Sequence, residues 1–272
     1  MNARELVQAG RLNESLLKLQ EEIRASAADE KLRVFLFQLL SVLGKWERAL
    51  TQLQVLTSMS PPAVMLARIF DPVVRCEAVR AEVFAGKRNP LIFGEPEEWV
   101  GLLVKANELT ALGQHAAAAQ LRERAFSAAP ATSGKIGEKP FEWIADADQR
   151  FGPLLEVILE GQYYWIPFQR ISRIVIDPPS DLRDLVWAPV QFVWANGGEA
   201  SGHIPSRYPK TELSDDDALR LSRKTDWVPL DGDFSVGLGQ RILTTDSEDI
   251  PLLGCGIIDL QTTVAAPAAS AG

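Results

Sequence analysis

Gly10-Arg-Leu12-Asn-Glu-Ser15-Leu16 recurs as Gly44-Lys-Trp46-Glu-Arg-Ala49-Leu50, an offset of 34 residues, and again as Gly113-Gln-His115-Ala-Ala-Ala118-Ala119. That offset is the period of tetratricopeptide helical hairpins. The residue types suit the geometry. Glycine permits the tight turn between antiparallel helices, and the small residue five positions on lets the second helix approach its neighbour. Pro61 and Pro130 each follow their glycine by 17 positions and read as helix stops. No copy stands between Gly44 and Gly113, where Asp71 to Gly86 reads as a single helix. The N-terminal part is expected to be an irregular, tetratricopeptide-like all-α array.

Within it, Lys31 to Leu43 is apolar on nearly every side. Leu32, Phe35, Leu36, Leu39, Val42 and Leu43 form one helical stripe, while Val34 and Phe37 lie off it and need separate cover from a neighbouring helix or a ligand. These two are the candidate partner-binding residues. After Pro130 the helical period fades. Residues 131–140, with Gly134, Gly137 and Pro140, read as a linker. Short β-prone runs follow at Tyr163 to Phe168, Arg173 to Ile176, Val190 to Trp194, Gln240 to Thr244 and Gly256 to Leu260. Asn196-Gly197-Gly198 suggests a hairpin turn, and Ser214 to Asp217 the capped start of a short helix. The expected fold class is α+β: a helical domain over 1–130, a linker over 131–140, a β-rich acidic domain over 141–262 and a disordered tail over 263–272.

The N-terminus runs straight into a charged amphipathic pattern, and the longest apolar patch, Val34 to Leu40, is far shorter than the ~20 residues a membrane-spanning helix needs. A soluble cytoplasmic protein is expected, with Cys76 and Cys255 as buried reduced thiols. Residues 1–130 carry 16 basic and 15 acidic side chains, and the rest of the chain carries 12 and 21. An acidic field concentrated in the second half repels phosphate backbones and anionic lipid, which leaves proteins as the expected partners.

Chemistry has one candidate. Asp146, Asp148, Asp181, Asp184 and Asp215, Asp216 and Asp217 could hold a divalent cation or serve as acid and base, as in a metal-dependent hydrolase. Each also has an ordinary role within reach. Asp146 and Asp148 precede Arg150, Asp181 and Asp184 bracket Arg183, and Asp215 to Asp217 open a helix where negative charge is favoured. His115 and His203 have no metal-ligand spacing, and no phosphate loop, nucleophile elbow or dinucleotide fingerprint occurs. No cofactor and no enzymatic activity are expected. Trp143, Trp165, Trp187, Trp194 and Trp227 crowd the second half, for burial or as a recognition face, with Arg183, Arg207 and Arg241 available to stack on them or pair with the aspartates.

Several segments, in order, resemble the ImpE family of SciE-type, TagJ proteins found with type VI secretion systems. They are Leu32 to Leu40 with Gly44-Lys-Trp-Glu-Arg48, Cys76-Glu-Ala-Val-Arg80, Val83-Phe-Ala-Gly86 and Phe141 to Arg150. Gly161-Gln-Tyr-Tyr-Trp165, Asp181 to Trp187, Ile204-Pro-Ser-Arg-Tyr-Pro209 and Gly237-Leu-Gly-Gln-Arg241 continue the series. The chain departs at Lys210-Thr211, where the family has Gly and Ser, and at Gly254-Cys255-Gly256, where Asp and Arg are frequent. The resemblance implies a non-enzymatic accessory role. Its implied ligand is the amphipathic N-terminal helix of the small contractile-sheath subunit, with an influence on sheath recycling by its ATPase.

Overall fold

The computed structural model describes residues 1–232 and 234–262; the tail over 263–272 lies outside the described residues. Three helical hairpins open the chain: α1 (Ala3–Gln8) with α2 (Leu12–Ala25), α3 (Glu30–Val42) with α4 (Trp46–Leu56), and α6 (Glu98–Ala111) with α7 (His115–Ala128). Gly10, Gly44 and Gly113 sit in the three turns at φ of 70°, 65° and 74°, a conformation costly for any residue with a Cβ. Between the second and third hairpins lies α5 (Pro61–Phe84), a single helix of 24 residues that packs back against α4. Pro61 begins this helix rather than stopping the one before it. Its missing N–H falls in the first turn, where no acceptor is needed, and the Ser60 hydroxyl accepts from the Ala63 N–H at 3.3 Å.

The remainder is mostly antiparallel sheet. The strands are β1 (Leu91–Ile92), β2 (Gly134–Ile136), β3 (Lys139–Phe141), β4 (Ile144–Asp146), β5 (Leu154–Leu159), β6 (Gln162–Pro167) and β7 (Ile171–Ile176). Then come β8 (Trp187–Trp194), β9 (Glu199–Pro205), the short α8 (Asp217–Arg220), β10 (Thr225–Asp231), β11 (Phe234–Gly239), β12 (Ile242–Thr245), β13 (Asp249–Pro251) and β14 (Ile257–Leu260). Nine strands form one sheet in the order β1-β6-β5-β9-β8-β7-β14-β2-β3, with β10-β11 and β13-β12-β4 as smaller sheets. The Asn196 turn joins β8 to β9 as expected, its side-chain carbonyl accepting from the Gly198 N–H at 3.0 Å.

The expected linker is corrected: residues 134–136 and 139–141 are sheet strands, with β2 paired to β14 through Gly134↔Leu260 and Ile136↔Ile258. Gly134 is required there because a Cβ would lie 2.2 Å from the Asp259 carbonyl oxygen. The two parts are also tied where sequence shows a boundary, since β1 leaves the helical segment to pair in parallel with β6. One core runs through both. It joins Phe37, Phe70, Val74 and Phe84 of the helices to Leu154, Trp165 and Trp187 of the sheet and to Tyr208 just beyond β9, while a second core lies around Val157, Phe192, Leu243 and Ile258. Limited proteolysis is accordingly expected to spare residues 131–140 in its first cut; cleavage there before any loop between helices would contradict this packing.

Phe70 meets His203 edge-on at 5.2 Å between ring centroids. Burial lowers the imidazole pKa to about 4, against a partial offset from Asp184. Free His titrates near ~6.5, so between these values the unfolded chain binds a proton that the folded chain refuses. The stability this residue contributes is full above the unfolded value and is lost as pH falls through that window, by up to ~3 kcal/mol. Urea unfolding at several pH values should show this slope, and His203→Gln should flatten it.

Candidate functional site

The side chains of the scattered motifs converge where α5 crosses the sheet. From α5, Glu77 accepts from the Trp187 indole N–H at 2.7 Å and lies 3.4 Å from the Arg80 guanidinium. Arg80 donates to both oxygens of Glu156, at 2.5 and 3.0 Å, and to the Arg207 carbonyl at 2.6 Å. Glu156 lies in β5 and also receives the Tyr163 hydroxyl at 2.5 Å, while the Trp165 indole donates to that hydroxyl. Arg241 then bridges Glu156 to Asp146, which accepts from the Tyr208 hydroxyl at 2.9 Å. Asp148 pairs with Arg150 at 2.5 Å and accepts from the Gly237 N–H at 2.8 Å. Glu156, Asp148 and Arg241 are completely buried.

Burial in a medium of low polarity disfavours charge, so each group's state depends on its partners. For Glu156 burial alone would raise the pKa, but Arg80 and Arg241 together hold it below the usual carboxylate range. For Asp146 burial prevails over Arg241 and pushes the carboxyl up to about 6. Glu77 is raised by burial as well, against the pull of Arg80. Every carboxylate is engaged by a guanidinium, a hydroxyl, an indole or a backbone N–H. The seam is built to hold α5 against the sheet.

Further polar contacts join the same halves. Arg207 neither stacks nor pairs with an aspartate; its guanidinium donates to the carbonyls of Val42, at the end of α3, and of Arg220, at 2.8 and 2.6 Å. Asp217 accepts from the Leu12 N–H, the first of α2, at 2.8 Å and pairs with Arg220 at 3.2 Å. These placements put positive charge at one helix C-terminus and negative charge at another's N-terminus.

The acidic residues singled out from sequence therefore divide. Asp146 and Asp148 belong to the buried seam, Asp216 caps α8 through the Ala218 N–H at 2.8 Å, and Asp181 and Asp184 flank Arg183. Among the described residues no three His, Cys, Asp or Glu side chains come together as metal ligands would. Phe37 is fully buried, its ring 5.7 Å from that of Phe70, and Val34 is partly buried against the same core. Phe70 of α5 covers Phe37, which corrects Phe37 as a surface for a ligand. Of the tryptophans, Trp165 and Trp187 are in the core and Trp194 is buried, while Trp143 and Trp227 are 38% and 42% exposed. Glu156 was not foreseen, although one glutamate inside Leu154-Leu-Glu-Val-Ile-Leu159 is a signal in itself.

Fold and seam together define the class: a helical-hairpin array locked to an antiparallel sheet by a saturated buried charge network. The chain belongs to the ImpE family. A model of that family, described as ImpE protein, matches residues 138–259. The chain is 45% identical over 263 residues to the type VI secretion system accessory component TagJ of Pseudomonas aeruginosa, covering 97% of this chain and 92% of that one. The crystal structure of protein VPA1032 from Vibrio parahaemolyticus superimposes with a TM-score of 0.86 at 26% identity, covering 97% of this chain and 98% of the other. Among the described residues no helix is long and apolar enough to cross a membrane.

Proposed function

We propose that this chain is a non-enzymatic, cytoplasmic accessory protein of a type VI secretion system. In this reading it binds the amphipathic N-terminal helix of the small contractile-sheath subunit and modulates sheath assembly or recycling by the sheath ATPase. The observation that carries the reading is the 45% identity to an accessory component of such a system along nearly the full length of both chains. The helical hairpins, which we read as tetratricopeptide-like, support helix-in-groove recognition. The buried carboxylates support a structural rather than a catalytic role, because each is already satisfied by a neighbouring group.

The test is co-purification of the tagged full chain with the two sheath subunits expressed together and separately. Retention of the small subunit, lost when its N-terminal helix is deleted, is the expected result. Retention of the large subunit alone, or of neither, would overturn the reading. A divalent-cation-dependent hydrolysis abolished by Asp146→Asn would favour the metal-dependent hydrolase instead.

A further inference from the structure

β14 lies between β2 and β7, and its pairing with β2 outlasts the strand itself. Ile258 stands opposite Ile136 and Leu260 opposite Gly134, and beyond them the Gln261 N–H donates to the Ser133 carbonyl at 2.8 Å. That bond is in phase with the one from the Gly137 N–H to the Ile257 carbonyl at 3.0 Å. Carried on, the register sets Thr263 opposite Ala131 and Val264 opposite Pro130. On its other side β14 pairs with β7 through Ile257↔Val175 and Asp259↔Arg173, a register that continues to Thr262 opposite Arg170 and Thr263 opposite Gln169. A cavity of about 690 Å³ lies at this place. Gln261 and Thr262 are in its wall, with Pro130 and Ala131 on the β2 side and Gln169 and Arg170 on the β7 side.

The side chains agree with the backbone. Ile258 and Leu260 are buried in the core that Trp194 also joins, whereas Ile257 and Gln261 are exposed. Residues two apart on a strand share a face, so Val264 is the next apolar side chain on the buried side. There the cavity offers Trp194 and the partly buried Phe93, with ring centroids 4.4 Å apart. Charge fits as well. Thr263-Val264-Ala265-Ala266 is uncharged, and the Arg170 guanidinium in the wall is already paired with Glu97 at 3.1 Å. Pro130 has no N–H, and opposite Val264 none is needed: hydrogen-bonded and non-hydrogen-bonded pairs alternate, and Gln261 with Ser133 is of the first kind.

We propose that residues 263–266 continue β14 through this cavity, with Thr263 exchanging backbone hydrogen bonds with Ala131 and the Val264 side chain set against Phe93 and Trp194. Small residues with little to bury can be held in this way, because an edge already in place bonds to the backbone alone. The added strand closes the passage between the exit of α7 and the start of α6 with the protein's own chain. The inference stands apart from the proposed function, since it involves no other protein.

Amide hydrogen exchange of the full chain, followed by NMR, tests it. The Thr263 N–H should exchange at least tenfold more slowly than those of Ala269 to Gly272. Val264→Asp should abolish that protection and Ala269→Asp should keep it, in variants whose folding is checked by thermal melts. Free exchange at Thr263 in the wild type overturns the proposal, and so does protection that survives Val264→Asp. A second measurement tells the protein's own segment from that of another copy. Residues 130 and 264 would face each other at a Cα separation of ~4.5 Å, within disulfide range. Mild oxidation of the double variant Pro130→Cys, Val264→Cys should therefore give a cross-linked monomer. A cross-linked dimer would assign the cavity to a second copy and overturn the proposal, and no cross-link at all would overturn the register.

Discussion

Arg241→Met lowers the free energy of unfolding by ~3–5 kcal/mol, the scale expected when one partner of a buried ion pair is removed. Its guanidinium is completely buried and bridges Asp146 and Glu156. The variant leaves Glu156 with Arg80 as its one cationic partner beside the Tyr163 hydroxyl, and Asp146 with only neutral donors. Both carboxylates must then stay charged without full compensation or take up a proton. Arg241→Lys recovers little, because one ammonium cannot reproduce a planar fork that bridges two acids. Urea unfolding of the two variants measures the effect, and a loss under ~1 kcal/mol for Arg241→Met would mean that the seam does not hold the fold together. The converse also follows from the physics: replacing the whole network by well-packed apolar groups need not destabilise the protein.

Phe37→Ala is the second large effect, also ~3–5 kcal/mol, because it opens a cavity in a core that cannot collapse freely. Phe37 is fully buried and its ring packs against Phe70, which in turn meets Trp187 and His203. Phe37→Asp should leave no folded protein at all, since an unpaired carboxylate in that position has neither water nor a cation. The outcome distinguishes core from contact surface. A ligand-facing phenylalanine would lose affinity on truncation and keep its stability, whereas this one is expected to lose stability first.

The helical turns were legible because their cause is local. A glycine at positive φ followed by a small residue five positions on is a short-range requirement, and it marks all three hairpins. The β8–β9 hairpin and the capped start of α8 were legible for the same reason. β5 was not, because it is buried on both faces and has no polar alternation to reveal a strand. Residues 131–140 looked like a linker because Gly134 and Gly137 carry turn chemistry. Yet Gly134 serves a close approach of backbone to backbone, which only the folded sheet discloses. The seam lay further out of reach. Its motifs were visible, from Cys76-Glu-Ala-Val-Arg80 to Gly237-Leu-Gly-Gln-Arg241, but the contact of Arg80 with Glu156 spans 76 residues and that of Arg241 with Asp146 spans 95. Spacing along the chain contains no record of such pairings: sequence groups the aspartates by type, whereas the fold groups them by place.

Calorimetric titration tests the proposed recognition of a small-sheath-subunit helix most directly. The intact small subunit, and the same subunit without its N-terminal helix, would each be titrated into the full chain. Saturable binding at micromolar concentration or tighter, abolished by removal of that helix, is the predicted result. Equal binding by both forms, or none by the intact subunit, would contradict the account.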